Sequence, residues 1–326
     1  MDDCLSGLRT EARKFRGAAL AETTKRAYKS QLNAYLKFCF NFSLIPAPAT
    51  QETLNLYTAF LARTLSPSSI PAYLNVVRLL HLESGFANPI AGNWELMTMQ
   101  KGIARLLGKP PRQKLPITVH ILLDLHRTLT NSHIDLAFWA ACLIAFLVFF
   151  RKASLIPSAD MLSAKKFIAR SDVKHLTLSA FSVDVRHSKT NQFGVRVLNL
   201  PFVACPDVRL CPVRALIAHL GSSCLPQDRP LFNFVENTKE VVFTHAIFVK
   251  KLKTLLKVTG HPSSEISSHS FRRGGATLAY SVGLSTTEIK LRGDWRSNAY
   301  ERYLCVSPES VLASARALSY GLLKQA

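Results

Sequence analysis

Apolar residues recur at helical spacing from Thr23 to Phe42, where Ala27, Leu32, Tyr35, Leu36 and Cys39 line one side, and Pro46 and Pro48 end the pattern. The same period predicts helices over Gln51–Leu65, over Ile70–Leu82 after the Ser66-Pro67-Ser68-Ser69 turn, and over Trp94–Leu107, where Ile103, Leu106 and Leu107 share a face. Residues 1–20 are charged and rich in small residues and are expected as a flexible arm; residues 21–107 then form a small all-α domain. Gly108–Pro116, GKPPRQKLP, has adjacent prolines, three basic residues and almost nothing apolar, so a linker is placed over 108–117.

Beyond the linker, a second domain over 118–326 opens with predicted helices at Thr118–Leu129 and Ile134–Phe150. The apolar run Leu136–Phe150 is shorter than the roughly 20 residues that cross a bilayer, and Asp135 and Arg151-Lys152 flank it. It reads as a buried core helix that ends at Arg151. Between Leu176 and Pro201 the period changes to alternation at Val183, Val185, Val195 and Val197, with turn chemistry at Asn191–Gly194, which predicts a short β-meander. From Pro212 the chain reads as helical again. Ser285-Thr286-Thr287-Glu288 is a capping box, Gly293 is placed to close that helix, and Ser307-Pro308-Glu309 opens a last helix striped by Val311, Leu312, Ala315, Leu318 and Leu322. The fold class is therefore mainly α with a small antiparallel β-sheet (α+β), in two domains.

Charge narrows the function. Forty-one Lys and Arg against 21 Asp and Glu leave a net charge of +20 over 326 residues, which points to a polyanionic partner. No segment combines basic and bulky apolar faces in the manner of a membrane-surface helix. The seven cysteines, Cys4, Cys39, Cys142, Cys205, Cys211, Cys224 and Cys305, are scattered and contain no C-x-x-C pair, which argues against a zinc site or a disulfide framework. The histidines outside the segment described next show no ligand spacing; His187 stands out only for its nearness to Lys189.

Candidate chemistry gathers in the last third. His269-Ser270-Phe271-Arg272 puts a histidine and an arginine one helical turn apart. Gly293-Asp294-Trp295-Arg296-Ser297-Asn298-Ala299-Tyr300-Glu301-Arg302-Tyr303 follows, and the cations at 272, 273, 290, 292, 296 and 302 are too concentrated for an ordinary solvated face. Breaking a phosphodiester needs an in-line nucleophile, cations for the non-bridging oxygens and an acid for the leaving oxygen. Arginine suits the second task because its fork binds two oxygens at once, and tyrosine suits the first because its phosphate ester can store the broken bond.

HSFRRGGAT followed by LRGDWRSNAYERYL resembles the H-x-x-R and terminal tyrosine boxes of the tyrosine recombinases (the phage-integrase family). The G-x-W-x-S-x-A-x-x-x-Y form resembles in particular the recombinases of DIRS- and Crypton-type eukaryotic transposons. FLVFFRKASL offers Arg151 as a first arginine, and HSKTNQFG offers Lys189 at the tip of the expected hairpin. The resemblance spans nearly the whole chain. It implies a clamp of two domains around double-stranded DNA, a nuclear location, and a homo-tetramer built from a dimer per site, with no cofactor and no metal. It implies that Tyr303 attacks the phosphate and forms a 3′-phosphotyrosine. Arg151 and Arg272 would stabilise the transition state, Lys189 would protonate the leaving 5′ oxygen, His269 would move the Tyr303 proton, and Trp295 would pack against the phosphate.

Tyr300 is a rival to Tyr303; spacing from Gly293 favours Tyr303 as nucleophile and leaves Tyr300 to the core. Arg26 and Lys29 on the first long helix, and Arg273, Lys290, Arg292 and Arg296 near the site, are expected to contact DNA backbone. The chain departs from the family at Asp294, where histidine or tryptophan is usual, and at Ser154, where an acidic residue is frequent. Asp294 is expected to turn away from the phosphate and pair with Arg292 or Arg296. It also keeps open a recombinase-derived DNA-binding protein that does not cut. A type IB topoisomerase would use similar chemistry.

Overall fold

The computed structural model describes residues 2–110, 113–149, 155–164, 166–188, 191, 194–305, 312 and 316. Arg151, Lys189 and, apart from 312 and 316, the expected last helix lie outside them. The chain divides into two units, Met1–Arg112 and Gln113–Ala326.

In the first unit, residues expected as a flexible arm form a helix, α1 (Asp2–Ala18), whose residues 5–18 are all exposed. Its Arg, Lys, Glu, Leu and Ala side chains are good helix formers, and 17 residues suffice for local propensity to act without burial. α2 (Glu22–Asn41), α3 (Gln51–Ala62), α4 (Ile70–Glu83) and α5 (Trp94–Leu107) follow. Thr50 and Asn93 accept from Thr53 N and Leu96 N and so cap α3 and α5. The apolar stripes meet in a core of Tyr35, Phe38, Leu54, Tyr57, Leu61, Leu74 and Leu96, with the Tyr35 and Phe38 rings 4.9 and 5.0 Å from Tyr57. His81 belongs to this core: Nε2 accepts from Ala49 N at 2.8 Å and Nδ1 donates to Val77 O at 2.8 Å.

The linker is shorter than its prolines suggest. Leu115 N donates to Glu265 O and Ile117 N to Ser270 O, and Ile117 is buried, so this stretch already belongs to the second unit. That unit is built round α7 (His133–Leu147), flanked in sequence by α6 (Val119–Arg127) and α8 (Ala159–Ser163). α7 is apolar on every side and buried along nearly its whole length, as a helix at the centre of a core must be. It ends earlier than expected: Val148 caps it and Phe149 takes a left-handed φ of 52°. No helix among the described residues is long and apolar enough to cross a membrane.

A three-stranded antiparallel sheet follows, β1 (Val173–Thr177), β2 (Ala180–Val185) and β3 (Leu198–Val203), in the order β1-β2-β3. β2 is central and wholly buried, and Val183 opposes both Val173 and Leu200. The meander therefore begins before Leu176, and its second connection is the long 186–197 loop. After α9 (Pro212–Ser222) the expected all-helical run is interrupted by a hairpin, β4 (Phe234–Glu236) and β5 (Lys239–Val241). Asn237 and Thr238 both have positive φ, the geometry of a tight primed turn. Strands of three residues joined through a threonine leave little periodicity to read. α10 (His245–Val258), α11 (His269–Ser281), α12 (Thr286–Gly293) and a 3₁₀ helix (Asn298–Tyr303) complete the described fold.

His219 on α9 is fully buried, stacked on Phe232; its Nε2–H donates to Leu231 O at 3.0 Å and its Nδ1 has no partner among the described residues. Burial holds its pKa down at about 4. The unfolded chain takes up this proton near pH 6.5, whereas the folded chain does not until about pH 4, so stability must fall as pH drops through that window. The shift corresponds to about 3 kcal/mol. His219→Gln keeps the donor without titrating, and urea denaturation should show a flatter decline of stability between pH 6.5 and 4; an unchanged slope would remove His219 from this role.

Candidate active site

α11 supplies the centre of the site, and its position follows from two glycines. A Cβ on Gly274 would lie 1.8 Å from Ile117 O, and one on Gly275 1.8 Å from Phe146 O. Only this bare surface lets α11 press against the end of α7 and the chain entering the unit. The adjacent Arg272 is thereby driven inside, at 1% exposure. Its NH1 donates to Phe149 O and its NH2 to Gly293 O at 2.6 Å. Its guanidinium carbon lies over the Trp295 ring, 3.6 Å from the centroid. A desolvated cation over an indole gains about 2 kcal/mol, and the two carbonyls supply charge-assisted bonds that such a buried cation requires.

The ends of α12 are set locally. Ser285 and Glu288 form the expected capping box. The helix is closed not by Gly293 but by Asp294, in the left-handed conformation at φ 52°. Trp295 N donates to Lys290 O and Asp294 N to Leu291 O, a Schellman ending with aspartate in the place glycine usually takes. Gly293 has another duty: a Cβ there would sit 1.7 Å from the Trp295 ring. The glycine lets the indole fold back beneath Arg272.

Ser297 caps the 3₁₀ helix by accepting from Ala299 N. Three residues per turn put Tyr300 and Tyr303 on one side, at two heights. Tyr300 is buried at 7% exposure, with its hydroxyl 3.4 Å from Thr286 Oγ1. Tyr303 is half-buried, its ring 5.0 Å from the His269 ring, 5.2 Å from Trp295 and 5.3 Å from the Arg272 Cζ. Thr277 ties this segment to α11, accepting from Cys305 N at 3.1 Å and lying 3.4 Å from Tyr303 O. Four of the six residues expected to act on phosphate, His269, Arg272, Trp295 and Tyr303, thus meet in one cluster. The other two, Arg151 and Lys189, lie outside the described residues.

The cations expected on DNA divide. Arg273 is buried, its NH1 donating to Lys114 O at 2.7 Å and its NH2 to Cys305 Sγ at 2.7 Å. Arg292 NH1 donates to Leu147 O at 3.0 Å and Pro201 O at 3.2 Å, and burial pushes its pKa down from the usual value. Both arginines are thus engaged within the fold, Arg273 by a carbonyl and a thiol and Arg292 by two carbonyls. Lys290 donates to Asn298 Oδ1 at 2.7 Å. Arg296 is exposed, as are Arg26 and Lys29 on α2 of the first unit.

Asp294 also differs from expectation. Its carboxylate pairs with Arg196 and accepts from Ser188 Oγ at 2.9 Å, both in the 186–197 loop, while Arg292 is engaged by carbonyls. The negative charge is compensated by that loop. Arg196, Ser188, Thr277 and the two carbonyls on Arg272 escaped the sequence reading. Only the Gly274-Gly275 pair carried a visible signal of close approach.

No family model and no curated protein matches the sequence. Solved structures do. The Tn1549 transposon integrase bound to transposon right-end DNA is similar with a TM-score of 0.59 and 11% identity, over 94% of this chain and 98% of that one. A lambda integrase dimer bound to a core site is similar with a TM-score of 0.56 and 13% identity, over 91% and 94%. The XerH site-specific recombinase bound to its difH substrate gives 0.55 and 10%, over 87% and 75%.

Gly293→Ala should be disproportionately damaging for a single methyl, because the indole that occupies its space also supports Arg272. Overpacking of this kind costs about 1–3 kcal/mol. A urea-denaturation midpoint that does not move would mean that Trp295 rests elsewhere. At identities of 10–13% the likeness is one of architecture, and this chain has the fold of the tyrosine recombinases and integrases.

Proposed function

We propose that the chain is a site-specific tyrosine recombinase that cuts and rejoins duplex DNA through a 3′-phosphotyrosine at Tyr303. The observation that carries this reading is the cluster of Arg272, Trp295, His269 and Tyr303, brought together from one helix, a turn and a 3₁₀ segment. The Tyr303 oxygen attacks phosphorus as its proton passes to His269. A bond forms between phosphorus and the phenolic oxygen, and the bond to the 5′ oxygen breaks. Lys189 gives that oxygen its proton. Arg272 faces the charge that builds on the non-bridging oxygens, already oriented by its carbonyls, so little reorganisation is needed. The buried Trp295 Nε1–H has no acceptor among the described residues and suits a phosphate oxygen. Religation runs the same steps in reverse.

Arg151 and Lys189 enter by resemblance, and their described neighbours support them. Phe149, two residues before Arg151, accepts from Arg272, and Ser188, next to Lys189, donates to Asp294. The compensation of Asp294 by Arg196 weakens the case for a protein that binds without cutting. Excess positive charge and exposed Arg26, Lys29 and Arg296 support binding dominated by phosphates and steeply weakened by salt. Assembly as a tetramer on DNA, a mobile-element role and a nuclear location follow from the same reading.

A duplex enriched by the protein from a random-sequence pool, nicked near the cut so that the freed strand diffuses away, should trap a covalent protein–DNA band. Tyr303→Phe should abolish that band while leaving duplex affinity nearly unchanged. Persistence of the band in that variant would assign the nucleophile to another residue, and loss of binding alone would make Tyr303 structural. Relaxation of supercoiled plasmid without sequence preference would favour a topoisomerase.

A further inference from the structure

Attack by Tyr303 asks for a phenol held in a fixed place, yet the segment that carries it offers little rigidity of its own. Tyr303 ends a 3₁₀ helix of six residues, a form whose hydrogen bonds are poorly aligned. Two residues on, Cys305 is gripped twice by α11. Thr277 Oγ1 accepts from its N–H at 3.1 Å, and Arg273 NH2 donates to its Sγ at 2.7 Å. Arg273 and Thr277 are four residues apart and so share one face of the helix that also carries Arg272. Arg273 reaches the other way as well: its NH1 donates to Lys114 O at 2.7 Å, in the chain that enters this unit. That chain is itself braced. Lys114 Nζ donates to Ser264 O at 2.7 Å, Leu115 N to Glu265 O at 2.9 Å and Ile117 N to Ser270 O at 3.0 Å. One guanidinium thus ties the residue just past the nucleophile to a fixed backbone.

We propose that Arg273 is a positioning residue for the nucleophile: with Thr277 it fixes Cys305, and through Cys305 it sets Tyr303 beside Arg272. The role rests on the strand-transfer reading. Arg273 is 8% exposed, is in no ion pair with a carboxylate among the described residues, and has an Nε–H that finds no acceptor among them. A buried cation with an unmet donor is costly, and an apolar side chain of similar volume would fill the same place at less cost. Packing alone therefore does not call for arginine here. Its planar fork does: it sends one donor to each of two segments, a carbonyl at the entry to the unit and a sulfur after the nucleophile, which a lysine ammonium or an apolar side chain does not reproduce. An in-line attack is sensitive to displacements of about 1 Å, and Tyr303, half-buried at the end of its short helix, depends on what holds the chain beyond it.

The rate of covalent adduct formation, measured with the full chain on the nicked duplex enriched from the random pool and over a range of duplex concentrations, tests this. Arg273→Met keeps the volume and removes both ties. At saturating duplex it should react about 100-fold more slowly than wild type, while the duplex concentration that gives half the maximal rate stays unchanged. Cys305→Ala should lower the saturating rate in the same way, and Cys305→Ser, which keeps an acceptor for Arg273, should return it to within a few-fold of wild type. Because the two residues act as one tie, the double variant Arg273→Met/Cys305→Ala should be no slower than the slower single variant. An unchanged saturating rate in Arg273→Met overturns the proposal, and so does a defect confined to duplex affinity, which would make Arg273 a phosphate contact. Defects that multiply in the double variant, or a Cys305→Ser as slow as Cys305→Ala, overturn it as well. Should Arg273→Met fail to fold, Cys305→Ser against Cys305→Ala, at a half-exposed position, is read by the same criterion. Failure of wild type to form any adduct, or an adduct from Tyr303→Phe, would instead overturn the strand-transfer reading.

Discussion

A single guanidinium with almost no exposure to water organises the second unit. Left unpaired, a charge so buried would cost several kcal/mol, a large share of the stability of any domain. Arg272 avoids the cost through Phe149 O, Gly293 O and the face of Trp295. Each partner belongs to a different segment: the exit from α7, the end of α12, and the turn before the 3₁₀ helix. Satisfying one cation therefore obliges three segments to meet, and Tyr303 arrives beside it because Thr277 holds its segment to the same helix.

The arrangement that satisfies Arg272 also suits it to phosphate. Carbonyl dipoles orient the guanidinium without cancelling its charge, as a carboxylate would, and the indole excludes water from one face. A cation prepared in this way stabilises developing negative charge at little reorganisation cost. The acidic group nearby, Asp294, is paired with Arg196 and accepts from Ser188. Of the basic residues crowded into this region, Arg273 and Arg292 serve the fold, and Arg296 faces solvent. Net charge alone overstates how many cations are available to a polyanion.

The architecture is shared with integrases of 11% and 13% identity, while neither a family model nor a curated protein matches the sequence. Core positions need only apolar volume at the right period, which many side chains supply, whereas a phosphate site needs particular groups in particular places. Fold by itself does not establish function; the strand-transfer reading draws its weight from the four side chains that converge.

The sequence by itself determined the four helices α2 to α5, the buried α7, the capping box of α12 and the pairing of a core Tyr300 with a more open Tyr303, because each leaves a periodic or local signature. It misjudged α1, where helix propensity acts without a buried face, and it missed the β4–β5 hairpin, whose strands are too short to show a period. Only the tertiary structure decided what holds Arg272, why Gly293 must lack a side chain, and which partners Asp294 takes. Main-chain carbonyls have no side-chain signature, and contacts between residues a hundred positions apart, such as Ser188 and Asp294, are set by packing and not by spacing along the chain.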